Sequence, residues 1–95
     1  MSEQIDYDAV SFVVASAYRV DVLAALEERP QRPSDISGDD LPMSPVSRAL
    51  QELRERGLVE LLVSEDVRKG RFYGLTDRGQ RIADDLETFL DGDTQ

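Results

Sequence analysis

The stretch SPVSRALQELRERGLVEL, residues 44–61, decides the fold because it combines a helix start, an amphipathic helix, a glycine stop and the beginning of a strand. Ser44 is a good N-cap, and Pro45 suits the first helical position, where its missing N–H costs nothing. We therefore predict a helix from Pro45 to Arg56, ended by Gly57 in the left-handed conformation. Its apolar stripe has spacings of i, i+3, i+4 and i+7 and consists of Val46, Ala49, Leu50 and Leu53.

The other side of this helix carries side chains that can read DNA bases. Ser47, Arg48 and Gln51 form its exposed face, on which the Arg48 guanidinium can donate to guanine O6 and N7 and the Gln51 amide can pair with adenine. The free N–H groups near Ser44, at the helix start, suit a phosphate. The alternative is a solvated helix face stabilised by i,i+4 ion pairs such as Glu52 with Arg56.

The charge of the chain is unevenly distributed. The sequence has 20 acidic and 11 basic residues, a net charge of −9, which by itself disfavours nucleic acid. Residues 43–81, however, hold eight of the basic and six of the acidic residues, a local charge of +2, so the rest of the chain carries −11. A strongly acidic surface with a single Lys resembles proteins of salt-loving organisms, although an ordinary acidic domain has a similar composition.

Composition excludes several classes of function. The 95 residues include no Cys and no His, so thiolate chemistry, the usual zinc ligand and the usual neutral-pH proton shuttle are absent. No glycine loop for phosphates and no nucleophile elbow occurs, so we expect no enzyme, no cofactor and no metal. The sequence has neither an apolar run of membrane-spanning length nor a basic signal region, and we expect a cytoplasmic protein of one domain, residues 1–95, without a membrane partner.

The region before the quoted stretch is helical and then rich in proline. Residues 7–28 contain no Gly or Pro and predict one long helix or two abutting ones, the second capped by Ser16. Apolar residues off the main stripe (Phe12, Tyr18 and Val22) indicate either central burial or contact with a partner chain. Five Pro and Gly residues between Pro30 and Pro45 leave room for only a short helix around residues 33–39 and a turn at 41–43.

The region after the quoted stretch predicts a β-hairpin and a last helix. Two β-rich segments within residues 58–75 flank a polar tip containing Arg68, Lys69 and nearby Arg71. Such a basic tip suits a phosphate or a narrow minor groove, or it only protects a sheet edge from aggregation. Thr76 should cap a helix over residues 77–90.

This order of elements resembles the winged helix-turn-helix family, especially archaeal regulators similar to the ArsR and MarR groups. The resemblance covers about residues 18–90 and depends on PSDI (33–36), SPVSRALQELRERGLVE (44–60) and RKGRFYGLTDRGQRIADDL (68–86). It implies an α+β, mainly α fold with a helix-turn-helix over residues 33–56, a two-stranded wing and a C-terminal helix. It also implies that helix 45–56 lies in the major groove and that wing residues 65–71 reach the minor groove or phosphates.

We therefore expect a sequence-specific DNA-binding transcriptional regulator. The residues expected to contact double-stranded DNA are Ser44, Pro45, Ser47, Arg48, Gln51, Arg54, Arg68, Lys69 and Arg71. The excess of apolar residues in the terminal helices predicts a homodimer, with contacts from Phe12, Tyr18, Val22, Leu86, Phe89 and Leu90. The alternative is a winged-helix interaction module whose acidic surface faces a partner protein; a hydrolytic enzyme is disfavoured. The sequence does not specify a small-molecule effector.

Overall fold

The described part of the chain folds into five helices and one small sheet. The computed structural model describes residues 6–62 and 71–91, with side chains up to residue 88. In chain order the elements are α1 (Tyr7–Val14), α2 (Ala17–Glu28), α3 (Pro33–Ile36), α4 (Met43–Glu55), β1 (Val59–Leu62), β2 (Phe72–Leu75) and α5 (Asp77–Asp91). This order confirms the predicted α+β, mainly α fold class.

The N-terminal helical region is two helices that meet at a sharp bend. The Ser16 hydroxyl accepts a hydrogen bond from the Arg19 N–H at 3.4 Å, which confirms the predicted cap of α2. The Asp6 carboxylate caps α1 in the same way, accepting from the Ala9 N–H at 3.2 Å. Of the described helices, none is alone long and apolar enough to cross a bilayer; α1 and α2 reach that length and apolarity only as a pair bent by 109°.

Helix α2 is the central helix of the core. It contacts α1, α4, α5 and β2, so it needs apolar side chains on more than one face. Val22 is 0% exposed and Leu86 is 6% exposed, and both pack in the core of the same chain. The prediction that these two side chains form exposed dimer contacts is therefore wrong. The predicted stripe of α4 is confirmed, because all four of its members are buried.

Helix α4 begins two residues earlier than predicted. Its N-cap is Pro42 and not Ser44, and the Pro42 carbonyl accepts from the Val46 N–H at 3.2 Å. Ser44 and Pro45 therefore lie inside the first turn. Pro45 is tolerated there because the first N–H groups of a helix have no partner within the helix.

The segments flanking α4 are short. Helix α3 ends at Ile36, before the predicted limit of residue 39, and Gly38 and Leu41 then close the turn with reciprocal backbone hydrogen bonds of 2.8 and 3.2 Å. At the other end, Gly57 has a φ of +77°, which confirms the predicted stop.

The two strands form the predicted antiparallel hairpin, in which Val59 pairs with Leu75 and Leu62 with Phe72. The sheet has one further contact that the sequence did not indicate. Gln31 exchanges backbone hydrogen bonds of 3.0 and 2.8 Å with Tyr73, and its buried side chain donates to the Ala25 carbonyl at 2.7 Å. This bridge ties β2 to the segment that follows α2.

Thr76 joins the hairpin to α5. Its hydroxyl accepts from the Gly79 N–H at 2.9 Å, which confirms the predicted cap, and donates to the Gly57 carbonyl at 2.6 Å. Its own N–H donates to the Leu58 carbonyl at 3.1 Å. The backbone of α5 approaches Leu58 so closely that a Cβ at Gly79 would overlap that carbonyl oxygen. The end of α4, the hairpin and the start of α5 are thereby held together.

Candidate nucleic-acid interface

The side of α4 that faces away from the core carries most of the predicted DNA contacts. Ser44, Ser47, Arg48, Gln51 and Arg54 are all exposed, because the helical period that buries the apolar stripe turns these positions outward. Pro45 is half-buried. Two grooves flank this exposed side, one toward the hairpin and one toward α2.

The first groove, here called the wing-side groove, lies between α4 and β2. Its lining includes the predicted residues Ser47, Gln51, Arg54 and Arg71, together with Pro33, Leu50, Glu55 and Tyr73. Residues separated by 24 positions in the sequence, from Ser47 to Arg71, thus line one concave surface. Arg68 and Lys69, with residues 65–70 of the predicted wing, lie outside the described residues.

The second groove, here called the α2-side groove, lies between the start of α2 and α4. It is lined by Ser16, Tyr18, Arg19, Ser44, Pro45, Arg48, Ala49 and Glu52. Tyr18, predicted as a dimer contact, is 40% exposed and lies in this groove with Ser44 and Arg48. The sequence did not indicate that Ser16, Tyr18 and Arg19 lie beside the exposed side of α4. The packing of α2 against α4 produces this proximity, and only the cap at Ser16 was visible in the sequence.

Arg56, the third arginine near the end of α4, has a different environment from Arg48 and Arg54. Its guanidinium carbon lies 4.0 Å from the centroid of the Phe12 ring, and the guanidinium carbon of Arg19 lies 3.9 Å from the same centroid. Glu52 pairs with Arg19, at 3.0 Å between Nε and Oε1, and not with Arg56 as the solvated-face alternative supposed. Arg56 therefore connects the end of α4 to α1 through the ring of Phe12, which is half-buried against the core.

Two carboxyl groups with shifted pKa values, those of Asp6 and Glu27, are not among the residues that line the two grooves. The Ala9 N–H and the guanidinium of Arg78, 3.1 Å away, hold the pKa of Asp6 below its usual value. Burial raises the pKa of Glu27, and the nearby carboxylates of Glu87 and Asp84 raise it further. This acidic cluster is formed by residues of α2 and α5, whereas the predicted DNA contacts come from α4 and the hairpin.

The described residues contain no group of three or more His, Cys, Asp or Glu side chains placed to hold a metal ion. The polar side chains that line the two grooves carry guanidinium, amide and hydroxyl groups, which bind phosphates and base edges by hydrogen bonding, and each groove also contains one carboxylate, Glu52 or Glu55.

Three solved structures illustrate the similarity of the fold. A protein from Enterococcus faecalis V583, assigned to the MarR family of transcriptional regulators, is 18% identical, with a TM-score of 0.80 over 99% of this chain and 88% of that chain. The S. aureus MepR–DNA complex is 18% identical, with a TM-score of 0.74 over 94% of this chain and 76% of that chain.

Lactococcus lactis ZitR, in a mutant form, is also 18% identical, with a TM-score of 0.71 over 83% of this chain and 55% of that chain. The chain thus spans about half the length of ZitR. At such identities the similarity shows the fold, which is the winged-helix fold of MarR-type structures. No curated protein matches the sequence.

The model of one protein family, described as the HVO_A0261 N-terminal domain, matches residues 7–93. This range includes every helix and strand of the fold and both grooves. The chain therefore belongs to the HVO_A0261 N-terminal domain family.

Proposed function

We propose that the protein is a sequence-specific DNA-binding transcriptional regulator that inserts α4 into the major groove. The observation that carries this proposal is the wing-side groove, where Ser47, Gln51, Arg54 and Arg71 face one concave surface. The first three come from one helix face and Arg71 comes from the hairpin. A helix in the major groove with a strand beside it can place these groups on bases and on the adjacent backbone at the same time.

The DNA contact proposed for each residue follows from the chemistry of its side chain. Arg48 and Gln51 on α4 are suited to guanine and adenine edges, and Arg54, one turn further, is suited to a base or phosphate. Arg71 directly precedes β2 and is suited to a phosphate or the minor groove, a role that we extend to Arg68 and Lys69 of the predicted wing. The S. aureus MepR–DNA complex supports the proposal, since a protein of this fold is bound to DNA in that structure.

We further propose that the protein works as a homodimer. Tyr7 on α1 is 63% exposed, and Val14 on the same helix is also exposed, which leaves apolar surface outside the core. We keep Phe12 as a contact at the edge of the proposed dimer interface. Phe89 and Leu90 remain predicted contacts, and their side chains lie outside the described part of the chain. A two-fold axis would place two α4 helices about 34 Å apart, one turn of DNA, so that the operator would be an inverted repeat.

Dimerisation can be tested by sedimentation at about 0.1 M and at molar salt. We expect association to strengthen with salt, because screening reduces the repulsion between two chains of net charge −9. A monomer at both salt concentrations, at protein concentrations up to tens of micromolar, would contradict the dimer.

The same acidic composition supports the proposal that the protein works in the concentrated salt of a halophilic archaeon.

The decisive experiment for the DNA-binding proposal is selection of genomic fragments by the purified protein at several salt concentrations, followed by sequencing. We expect enrichment of fragments that share one inverted repeat. A matched control is the variant in which Arg48 and Gln51, both exposed, are changed to Ala, which should fold normally and lose the enrichment. If the native protein enriches no DNA and instead retains proteins from the lysate, the interaction-module alternative replaces the proposal.

A further inference from the structure

The α2-side groove contains one carboxylate that could block DNA reading by Arg48. Glu52 lies four residues after Arg48 on α4, and both side chains line this groove. Opposite charges at i and i+4 on a helix are neighbours and attract each other. A carboxylate paired with Arg48 would occupy the same N–H donors that guanine O6 and N7 need, and it would add negative charge near DNA phosphates.

Arg19 holds Glu52 in another pairing. The Arg19 Nε donates to Glu52 Oε1 at 3.0 Å. A second nitrogen of the same guanidinium donates to the Phe12 carbonyl at 2.6 Å, and the group lies over the Phe12 ring at 3.9 Å. Three contacts therefore fix Arg19 and make it a rigid partner for the carboxylate. In contrast, Arg48 forms no hydrogen bond or ion pair with any residue that the structure describes.

We propose that Arg19 is a positioning residue for DNA recognition: by binding Glu52, it keeps that carboxylate away from Arg48 and leaves Arg48 free to contact a base. The inference rests on the proposed function, since it concerns the same α4 surface. The net charge of the α2-side groove changes in the same direction. With Arg19 present, the three charged side chains of the groove sum to +1, and without Arg19 the remaining Arg48 and Glu52 cancel.

A purely structural role for Arg19 predicts different behaviour. Arg19 connects α1, α2 and α4, so its loss could weaken DNA binding only by loosening α4. In that case, removing the charge of Glu52 as well would restore nothing. If Arg19 instead controls Glu52, the second change removes the competitor of Arg48 and restores binding.

The test measures DNA affinity by fluorescence anisotropy, with the best selected site and with a scrambled duplex, for the native protein and five variants. These variants are Arg19→Gln, Glu52→Gln, Arg48→Ala, the double variant Arg19→Gln/Glu52→Gln and the double variant Arg19→Gln/Arg48→Ala. We expect Arg19→Gln to weaken specific binding roughly tenfold, within the range set by one bidentate base contact. It should relax the preference at the same base position as Arg48→Ala.

The double variants separate the two roles. Arg19→Gln/Glu52→Gln should recover specific affinity to within about twofold of Glu52→Gln alone. Adding Arg19→Gln to Arg48→Ala should weaken binding little further, because the effects of substitutions at interacting residues are not additive. A double variant with Glu52→Gln that stays as weak as Arg19→Gln overturns the inference, as does native affinity in Arg19→Gln. If the native protein binds DNA and Arg48→Ala binds it equally well, the role assigned to Arg48 is wrong. If the native protein binds no DNA, the proposed function is overturned.

If Arg19→Gln does not fold, Arg19→Lys provides a second test, with the opposite expectation for DNA affinity. Lysine keeps a cation beside Glu52 but lacks the planar group that stacks on Phe12. We expect a lower melting temperature with specific affinity within about threefold of the native protein. A tenfold loss of specific affinity in a folded Arg19→Lys, not recovered by adding Glu52→Gln, would overturn the inference.

Discussion

Arg48 and Arg56 lie on and just after the same helix, and the structure predicts opposite consequences for their loss. Arg48 is exposed in the α2-side groove and has no hydrogen-bond or ion-pair partner among the described residues. Arg56 caps the end of α4, with its guanidinium carbon 4.0 Å from the Phe12 centroid. We expect Arg48→Ala to impair DNA binding without loss of stability, and Arg56→Ala to lower stability with little effect on binding.

The magnitudes follow from these environments. A cation–π contact at an exposed site contributes about 0.5–1 kcal/mol. An unfolding entropy of about 2.1 cal/mol/K per residue gives about 0.2 kcal/mol/K for a chain of this size, so Arg56→Ala should lower the melting temperature by about 2.5–5 °C. Arg48→Ala removes no such contact and should stay within about 0.5 kcal/mol of the native stability. It should weaken specific DNA binding by about 1–3 kcal/mol, roughly 5- to 150-fold, and relax one base position.

The assay pairs thermal melts in high salt with fluorescence anisotropy on the best selected site and on a scrambled duplex. Both variants remove an arginine, so each controls for the general loss of one positive charge. A result in which Arg56→Ala weakens specific binding as much as Arg48→Ala at an unchanged melting temperature would refute the reasoning. So would native affinity for the selected site in Arg48→Ala.

Three further predictions concern stability. Leu50→Ala should lower the free energy of unfolding by about 2–5 kcal/mol because Leu50 is 1% exposed, whereas Met43→Ala, on the same helix but 45% exposed, should lower it far less. Thermal melts would decide, and a decrease of only a degree or two in the melting temperature of Leu50→Ala would contradict the buried position of Leu50. Gly79→Ala should destabilise by about 1–3 kcal/mol because the new Cβ would overlap the Leu58 carbonyl, so a stabilising effect, which Ala normally has in helices, would show that α5 does not approach so closely. Burial and two acidic neighbours raise the pKa of Glu27, so the folded state binds the proton of Glu27 more tightly than the unfolded state and loses stability as the pH rises above the ordinary pKa of 4.5. Glu27→Gln should therefore raise the melting temperature at pH 7, and this gain should disappear near pH 4. An equal gain at both pH values would count against this cause.

Features that depend on near neighbours in the sequence could be predicted. The stripe of α4 follows from its spacing, and Ser16, Gly57 and Thr76 mark helix ends through their own conformations and hydrogen bonds. The error at the start of α4 has a local reason too. Pro42 and Ser44 are both compatible with a helix start, and the hydrogen bond between the Pro42 carbonyl and the Val46 N–H selects the earlier one.

The sequence by itself thus determined the order of elements, the apolar face of α4 and the exposed set of Ser47, Arg48 and Gln51, since these depend on helical periodicity. Only the tertiary structure decided which apolar residues have free surface and which arginines are available. Val22 is buried because α2 is surrounded by other elements, and Glu52 is held by Arg19 from 33 residues away. Periodicity does not encode such contacts, because the partner of a side chain depends on how separate helices pack against each other.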